Sequence, residues 1–299
     1  YHEPMPRAWL LVPLIFAALL GPRLAAHGGT APDFVPARRV LDEAIADHAF
    51  PGCAVAVGTR DRVLWKEALG RFDYEGGPPV TARSLYDLAS LTKVVGTTSV
   101  VMALVRDGQL SIGAPVSKHL PAFTGGGREN VAIEHLLTHS SGLPAWKPLH
   151  LERKGYSQVV EGALAAGLET PPGMVERYSD LGFILLGEAA ARAAGSSSSL
   201  TELERKLVFE PLSMKDTLRN PPVSEMSRAV PTEVRRIAKA AGNGAAGNGA
   251  AGDAPAASAA AVVTVTRGTV HDENAAAGDG ATGHAGLFST ADDLAVFAA

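Results

Sequence analysis

The sequence has a single cysteine, almost no surplus of charge of either sign and no apolar run long enough for a stable membrane span. Because Cys53 is alone among 299 residues, an intramolecular disulfide and a cysteine zinc site are excluded. The 27 basic and 31 acidic side chains nearly cancel, and no basic stripe stands out, so we predict no nucleic-acid partner. Cys53 lies in an apolar run, which predicts a buried and inert thiol.

The first 26 residues have the pattern of a leader followed by a secretory signal peptide. A basic start at 5–7 precedes the apolar run 9–20, and the small residues Ala25 and Ala26 follow. The run contains Pro13 and is shorter than the about 20 apolar residues of a membrane helix. We therefore expect cleavage near Ala26, export to the periplasm or the medium, and no stable membrane span afterwards. An N-terminal anchor that stays attached is the alternative.

Residues 27–299 predict one α+β domain, because strands come first and a helix-rich middle follows without alternating strand–helix units. The apolar pattern predicts a β-hairpin from strands at 53–57 and 63–69. It predicts helices at 40–49, 91–105, 131–139, 180–194 and 200–208. The helix at 91–105 is apolar on most sides, so we expect it to be central and buried. The repetitive Gly/Asn/Ala tract 240–261 predicts a flexible insertion within the domain.

The sequence Ser90-Leu91-Thr92-Lys93 places a serine and a lysine on one turn at the start of a helix. A serine hydroxyl is a poor nucleophile until a base takes its proton. Positions i and i+3 face the same side of a helix, so the lysine nitrogen can reach the serine oxygen. Burial of Lys93 would favour the neutral amine, which is the form that acts as a base. Alone, the pattern also fits a serine N-cap with a lysine one turn on.

Tyr178-Ser179-Asp180 stands just before the helix predicted at 180–194. A tyrosine at a helix entry can present its hydroxyl towards a cleft and relay a proton between nucleophile, base and leaving group. The alternative is a packed tyrosine followed by a Ser or Asp N-cap. These residues by themselves leave both interpretations open.

Three other patterns are weaker evidence for a functional site. His135 and His139 have a spacing that could bind zinc, but Leu136 stands where the metalloprotease pattern needs Glu and no third ligand is apparent. We interpret the pair as helix-end histidines and predict no metal. The sequence 271–273 (HDE) is interpreted as a turn. The Gly-x-Ser-x-Gly pattern of α/β-hydrolases does not occur in the 299 residues.

Several longer motifs follow one another along the chain: 85–93 (LYDLASLTK), 135–144 (HLLTHSSGLP), 172–173 (PG), 178–188 (YSDLGFILLGE) and 210–214 (EPLSM). Together they resemble the serine β-lactamase and penicillin-binding-protein superfamily, in its class C branch. The motifs 270–275 (VHDENA) and 283–290 (GHAGLFST) are similar to a subgroup of serine hydrolases in that family. The resemblance covers about 40–299, except the insertion.

This resemblance implies a β-lactamase/transpeptidase-like fold, in which an antiparallel sheet is flanked by helices and joined to a helical region. It implies Ser90 as the acylated nucleophile, Lys93 as the base and Tyr178 as the second proton-transfer group, with no cofactor. Asp180 stands where the family usually has Asn. An Asn amide can donate to a substrate carbonyl and an ionised Asp cannot, so we expect this substrate-binding position to disfavour β-lactam-like amides.

The family also has a third motif near its C-terminus, Lys or His followed by Thr or Ser and then Gly. Neither Lys-Thr-Gly nor Lys-Ser-Gly occurs in the 299 residues. The candidate His284-Ala285-Gly286 is followed by 289–294, which predicts the start of a helix that precedes the third motif in the family. We therefore expect this chain to be incomplete at the C-terminus, with the closing strands missing.

The sequence thus predicts a serine hydrolase that cleaves an ester or amide through an acyl-enzyme on Ser90. Esters and D-amino-acid peptides are favoured over β-lactams as substrates, because of Asp180. The alternative is a non-catalytic binding or sensing module that keeps the same fold. Neither the residues nor the resemblance predicts an oligomeric state.

Overall fold

The N-terminal part of the domain is a helix followed by a β-hairpin. Helix α1 (Val35–Ala46) precedes strands β1 (Gly52–Thr59) and β2 (Arg62–Gly70), which pair antiparallel with an irregularity at Val57/Gly58. The predicted hairpin is confirmed, and the helix predicted at 40–49 begins and ends earlier. Among the described strands, β1 and β2 pair only with each other.

The computed structural model describes residues 32–195, 197–237 and 262–299. The predicted signal peptide at 1–26 and the predicted insertion at 240–261 lie outside the described residues. Cys53 lies in β1 and is half-buried rather than fully buried, and burial raises the pKa of its thiol. In the part of the chain that the structure describes, no helix combines the length and the apolar character needed to span a membrane.

The helix that begins after Ser90 changes its winding along its length. Leu91 and Thr92 are α-helical, Lys93–Thr98 form a π-helical stretch, and helix α2 runs over Ser99–Arg106. The face that carries Val95, Val100, Val101 and Leu104 is buried in the main hydrophobic core. Leu91, Val94, Met102 and Val105 on this helix are exposed. The helix is therefore central and partly buried, as predicted, but its burial is limited to one face, and the apolar residues on its other sides are exposed.

The middle of the chain supplies most of the core. Its helices are α3 (Ile133–Leu137), α4 (Tyr156–Leu164), α5 (Asp180–Ala194), α6 (Leu200–Glu204), a π-helical stretch (Arg205–Phe209) and α7 (Glu210–Leu212). Helix α5 matches the predicted bounds: the Ser179 hydroxyl accepts from the Gly182 N–H at its start, and Gly195 with φ +136° ends it. It is buried from Leu181 to Ala191. Helix α3 is shorter than the predicted 131–139.

A small antiparallel sheet connects distant parts of the sequence next to Ser90. Strand β7 (Leu287–Ser289) lies between β3 (Tyr86–Asp87) and β4 (Leu218–Arg219). The Leu88 N–H donates to the Leu287 carbonyl at 2.9 Å, which continues this pairing towards Ser90. Strand β5 (Pro231–Ile237) pairs antiparallel with β6 (Val262–Arg267). Strand β7 is preceded in the sequence by helix α8 (Glu273–Ala277) and followed by helix α9 (Ala291–Ala298). The α+β prediction is confirmed.

A buried ion pair holds this sheet to the helices. Arg219 of β4 donates through Nε and Nη2 to the two carboxylate oxygens of Glu204, at 2.7 and 2.8 Å. Its Nη1 donates to the carbonyls of Gly280 at 2.8 Å and Ala285 at 3.0 Å. Both side chains are at most 1% exposed. Gly96 of the π-helical stretch passes so close to Glu204 that a Cβ there would overlap the carboxylate, which explains a glycine inside a helix.

Candidate active site

Ser90 lies at a sharp turn between β3 and the following helix. Its neighbour Ala89 has φ +44°, an uncommon backbone conformation for a residue other than glycine. The Asp87 carboxylate accepts from the Ala89 N–H at 2.8 Å and fixes that conformation. Ser90 itself is exposed. The turn therefore presents a serine hydroxyl to solvent at the start of a helix.

Lys93 lies one turn below Ser90 and is buried, with only 3% of its surface exposed. Its Nζ donates to Ser90 Oγ at 3.0 Å and to the His284 carbonyl at 3.0 Å. The same nitrogen lies 2.7 Å from Asp180 Oδ1, at the start of α5, in an ion pair. A buried amine thus contacts a serine hydroxyl, a carbonyl and a carboxylate, and Ser90 is the exposed residue among these partners.

Tyr178 covers Lys93 from the solvent side. Lys93 Nζ is 4.7 Å from the centroid of the Tyr178 ring, and the tyrosine is half exposed. The four residues predicted from the sequence, Ser90, Lys93, Tyr178 and Asp180, are therefore brought together around one nitrogen atom. A tyrosine ring over an ammonium group favours the cation by about 0.5–2 kcal/mol.

His139 belongs to the same cluster, although we predicted it to be a helix-end histidine. Its ring lies 4.5 Å from that of Tyr178, centroid to centroid, and its Nδ1 accepts from the Ser179 N–H at 3.0 Å. Burial and the nearby positive charge of Lys93 lower the pKa of His139, although the charges of Asp180 and Glu176 oppose this. A neutral His139 thus fixes the Tyr178–Ser179 segment. The signal in the sequence was its place in the motif 135–144, not its spacing from His135.

His135 lies apart from this cluster in its bonding. Its Nδ1 accepts from the Ala132 N–H at 3.1 Å at the start of α3, and because α3 has only five residues His135 also lies in its last turn, as predicted for a helix-end histidine. Across residues 32–195, 197–237 and 262–299, no group of three or more His, Cys, Asp and Glu side chains is placed to hold a metal ion.

The loop before β7 forms the buried side of the site. The His284 carbonyl accepts from Lys93, and the His284 ring lies 2.8 Å from Asp272 Oδ1 through Nε2. Asp272, interpreted from the sequence as part of a turn, is the N-cap of α8. Thr290 caps α9 in turn, so the helix start predicted at 289–294 is confirmed. His284-Ala285-Gly286 therefore contributes a backbone carbonyl to the site, immediately before a strand.

The cavity between α4, α5 and α6, of about 560 Å³, is a separate feature. Its polar lining includes Tyr156, Glu188 and Arg192. The Glu188 carboxylate accepts a hydrogen bond from the Tyr156 hydroxyl at 2.9 Å and another from the Arg192 guanidinium at 2.7 Å. None of the four predicted site residues lines it. The cluster around Ser90 therefore lies outside this cavity.

The sequence model of the Beta-lactamase family matches residues 37–299. The chain belongs to the β-lactamase family. N-acetylmuramyl-L-alanine amidase of Bacillus subtilis (strain 168) is 30% identical over 269 residues, which are 83% of this chain and 58% of that protein. Esterase EstB of Burkholderia gladioli is 32% identical over 196 residues, 59% of this chain and 49% of the esterase.

The fold agrees with this family. A class C β-lactamase from Rhodobacter sphaeroides superposes with a TM-score of 0.64 at 21% identity, over 87% of this chain and 63% of the other. This chain thus spans less than two thirds of the length of each of these β-lactamase-family proteins. The prediction of a serine hydrolase family with a β-lactamase/transpeptidase-like fold is confirmed at the level of family and fold.

Proposed function

We propose that this protein is a serine hydrolase that forms an acyl-enzyme on Ser90. The observation that carries the proposal is the 3.0 Å contact between the exposed Ser90 hydroxyl and the buried Lys93 Nζ. A nucleophile within hydrogen-bond reach of a base, with the base oriented by a third group, is the arrangement that activates a serine. Here the orienting groups are the His284 carbonyl and the Asp180 carboxylate.

The first step is attack of Ser90 Oγ on the carbonyl carbon of an ester or amide. Lys93 must first give up one proton of its ammonium group, and the Asp180 carboxylate at 2.7 Å is a neighbouring acceptor. The Oγ–C bond then forms, the hydroxyl proton passes to the neutral amine of Lys93, and the carbonyl electron pair moves to the oxygen. The Ser90 N–H supplies one donor to that oxyanion. The bond to the alcohol or amine then breaks, and the leaving group takes the proton from Lys93, directly or through Tyr178. A water molecule then attacks the acyl carbon and gives a proton to Lys93, the Oγ–C bond breaks, Ser90 Oγ takes the proton back from Lys93, and the acid is released.

Asp180 makes esters and peptides better candidates than β-lactams. One of its carboxylate oxygens is held 2.7 Å from Lys93 Nζ, and the ionised group can only accept hydrogen bonds. It cannot donate to the carbonyl oxygen of a β-lactam side-chain amide, as an Asn amide would. A substrate that presents an N–H or ammonium group to this position would instead gain a charge-assisted hydrogen bond.

The test is covalent labelling with a fluorescent fluorophosphonate, in parallel with a fluorescent penicillin. We expect the first reagent to label the wild type more rapidly than the second and to leave Ser90→Ala unlabelled, with Ser99→Ala as the matched control on the same helix. Equal labelling of wild type and Ser90→Ala would exclude Ser90 as the nucleophile. Binding without any hydrolysis of p-nitrophenyl acetate would favour the non-catalytic binding module.

We also propose that residues 1–26 direct export and that 240–261 form an insertion that the domain does not need. The support is compositional in both cases: an apolar run with a basic start, and a Gly/Asn/Ala tract that cannot offset its ordering entropy. Joining Lys239 to Val262 should change the free energy of unfolding by less than about 2 kcal/mol, because stability depends only weakly on loop length. Expression in a bacterial host, followed by fractionation and N-terminal sequencing, tests cleavage near Ala26.

A further inference from the structure

Asp272 and His284 form a hydrogen-bonded pair next to Lys93, in which His284 is buried and Asp272 is partly exposed. His284 is 1% exposed, and its carbonyl accepts from Lys93 Nζ at 3.0 Å. Its ring nitrogen Nε2 lies 2.8 Å from Asp272 Oδ1. Because a carboxylate only accepts hydrogen bonds, Nε2 carries the hydrogen. His284 therefore bonds the base with its backbone and a carboxylate with its side chain.

We propose that Asp272 and His284 are positioning residues, which hold the His284 carbonyl so that Lys93 Nζ is aimed at Ser90. The proposal rests on the function proposed above for Ser90 and Lys93. It gives a role to two residues that have no hydrogen bond to Ser90 in the part of the chain that the structure describes, and that the four predicted site residues do not include.

The backbone on either side of His284 is fixed by side chains from two other elements. The Gly283 carbonyl accepts from Thr97 Oγ1 at 2.7 Å, and the Ala285 carbonyl accepts from Arg219 Nη1 at 3.0 Å. Three successive carbonyls, from residue 283 to residue 285, thus each accept from a different side chain. The contact between His284 and Asp272 is the side-chain tether of this segment, and it fixes the direction of the carbonyl that meets Lys93.

Asp272 is itself held in place at the start of a helix. Its Oδ1 accepts the Ala275 N–H at 2.7 Å as the N-cap of α8. Burial alone would raise the pKa of Asp272, but the hydrogen bond and charge of His284, the Ala275 N–H and the charge of Lys93 together lower it. Asp272 therefore stays ionised at neutral pH and presents a fixed acceptor to the imidazole.

Packing alone does not explain a histidine at this position. The second ring nitrogen of His284, Nδ1, is buried and has no hydrogen-bond partner among the described residues. Burying a polar atom without a partner is unfavourable, and an apolar side chain of similar size would avoid this cost. The hydrogen bond from Nε2 to Asp272 offsets this cost, and it orients the His284 carbonyl that accepts from Lys93.

Two pairs of variants separate positioning from capping. Asp272→Ser keeps an N-cap oxygen for α8 but is too short to reach His284, whereas Asp272→Asn keeps an acceptor for both donors. His284→Leu removes the donor, and His284→Gln keeps an amide N–H at about the place of Nε2. Thermal melting of each full-length variant checks that its fold is intact.

The rate of fluorophosphonate labelling of Ser90 is the first measurement. In that reaction the Oγ–P bond forms, fluoride leaves, and Lys93 takes the hydroxyl proton. We expect Asp272→Ser and His284→Leu to react about 10- to 100-fold more slowly, because a misplacement of about 1 Å costs on that order. For ester hydrolysis by these two variants, kcat should fall while KM stays within about twofold of the wild-type value. Asp272→Asn and His284→Gln should keep most of the wild-type rate. Labelling of stable Asp272→Ser at the wild-type rate would overturn the proposal.

A crystal structure of Asp272→Ser is the second measurement and needs no activity. We expect Lys93 Nζ to move away from Ser90 Oγ beyond the 3.0 Å contact of the wild type. An unchanged contact would refute the positioning role. If the wild type is not labelled, the proposed function fails, and the Nζ–Oγ distance in this variant still decides whether Asp272 positions Lys93.

Discussion

The two ion pairs that contact the loop before β7, Arg219–Glu204 and Lys93–Asp180, differ in how their donors are used. Arg219 and Glu204 are at most 1% exposed, and three guanidinium nitrogens make four hydrogen bonds to protein acceptors. Lys93 and Asp180 are 4% and 18% exposed, and one Nζ hydrogen bond goes to the hydroxyl of an exposed serine. Both cations hold the same loop, through the neighbouring carbonyls of His284 and Ala285.

The difference indicates which pair supports the fold and which supports chemistry. A guanidinium presents five donors in a rigid fork and stays protonated, so Arg219 is suited to permanent bonds. An amine gives up its proton far more easily and has three rotatable donors, so Lys93 can change its partner when Ser90 reacts. Variants at the two pairs should therefore separate activity from stability.

The largest effect is expected for activity at Lys93. Lys93→Met should lower kcat for ester hydrolysis by about 10²–10⁴-fold, because proton transfer by a positioned base contributes that much. Its melting temperature should fall far less than that of an Arg219 variant. The matched control is Lys66→Met, which removes an exposed lysine 3.0 Å from Asp292. Full activity in Lys93→Met would remove the distinction between the two pairs.

Stability should respond most at Arg219. Arg219→Met leaves the Glu204 carboxylate buried without its partner, which costs about 3–5 kcal/mol in the free energy of unfolding. Urea denaturation followed by circular dichroism measures this cost. Arg106→Met, at an exposed arginine beside Asp107, should change it by less than about 1 kcal/mol. If Arg219→Met also lowers the free energy of unfolding by less than about 1 kcal/mol, the fold does not depend on the ion pair between Arg219 and Glu204.

A smaller effect should appear as a change of substrate preference at Asp180. Asp180→Asn restores an amide donor and removes the negative charge beside Lys93. We expect the ratio of penicillin acylation to ester acylation to rise by about tenfold, the value of one hydrogen bond of about 1.4 kcal/mol. The exposed Asp107→Asn serves as the control. An unchanged ratio would show that Asp180 does not govern selection between β-lactams and esters.

The smallest effect is a pH dependence of stability at His139. Its pKa is lowered by burial and by the charge of Lys93, so the unfolded chain binds a proton more readily than the native one. The contribution of neutral His139 is therefore present above the ordinary imidazole pKa of about 6.5 and is lost as pH falls from there towards the lowered value.

His139→Asn should flatten this slope. Asn tolerates the left-handed φ of +57° at this position and keeps an oxygen that can accept from the Ser179 N–H. The exposed His48→Asn should leave the slope as it is in the wild type. Thermal melting between pH 5 and 8 compares the three proteins. Equal slopes in wild type and His139→Asn would show that His139 is not the titrating group.

The spacing of residues along the sequence was enough to predict the part of the site that lies on one helix turn. Ser90 and Lys93 are three residues apart, and a single turn brings their side chains together. The motif at 178–188 added Tyr178 and Asp180, and the bounds of α5 followed from its cap and its final glycine.

The buried side of the site could not be predicted in this way. Lys93 and His284 are separated by 191 positions in the chain, and their contact is created by the pairing of β3 with β7. Nor does periodicity show which face of the helix after Ser90 meets the core, because apolar residues lie on most sides of it. Asp272 looked like a turn residue, since a cap and a turn use the same side chains.

The π-helical stretch at 93–98 has a consequence for any redesign of this region. Such a stretch accommodates one residue more than regular winding, and each residue turns an α-helix by about 100°. It therefore sets the rotation of the turn that carries Ser90 and Lys93 relative to the core face of α2. Deleting one residue there would leave regular winding with both halves in their present phase, whereas regular winding with all residues kept would rotate one half against the other by about 100°. A redesign that straightens this stretch therefore has to remove one residue to keep the direction in which Ser90 and Lys93 point.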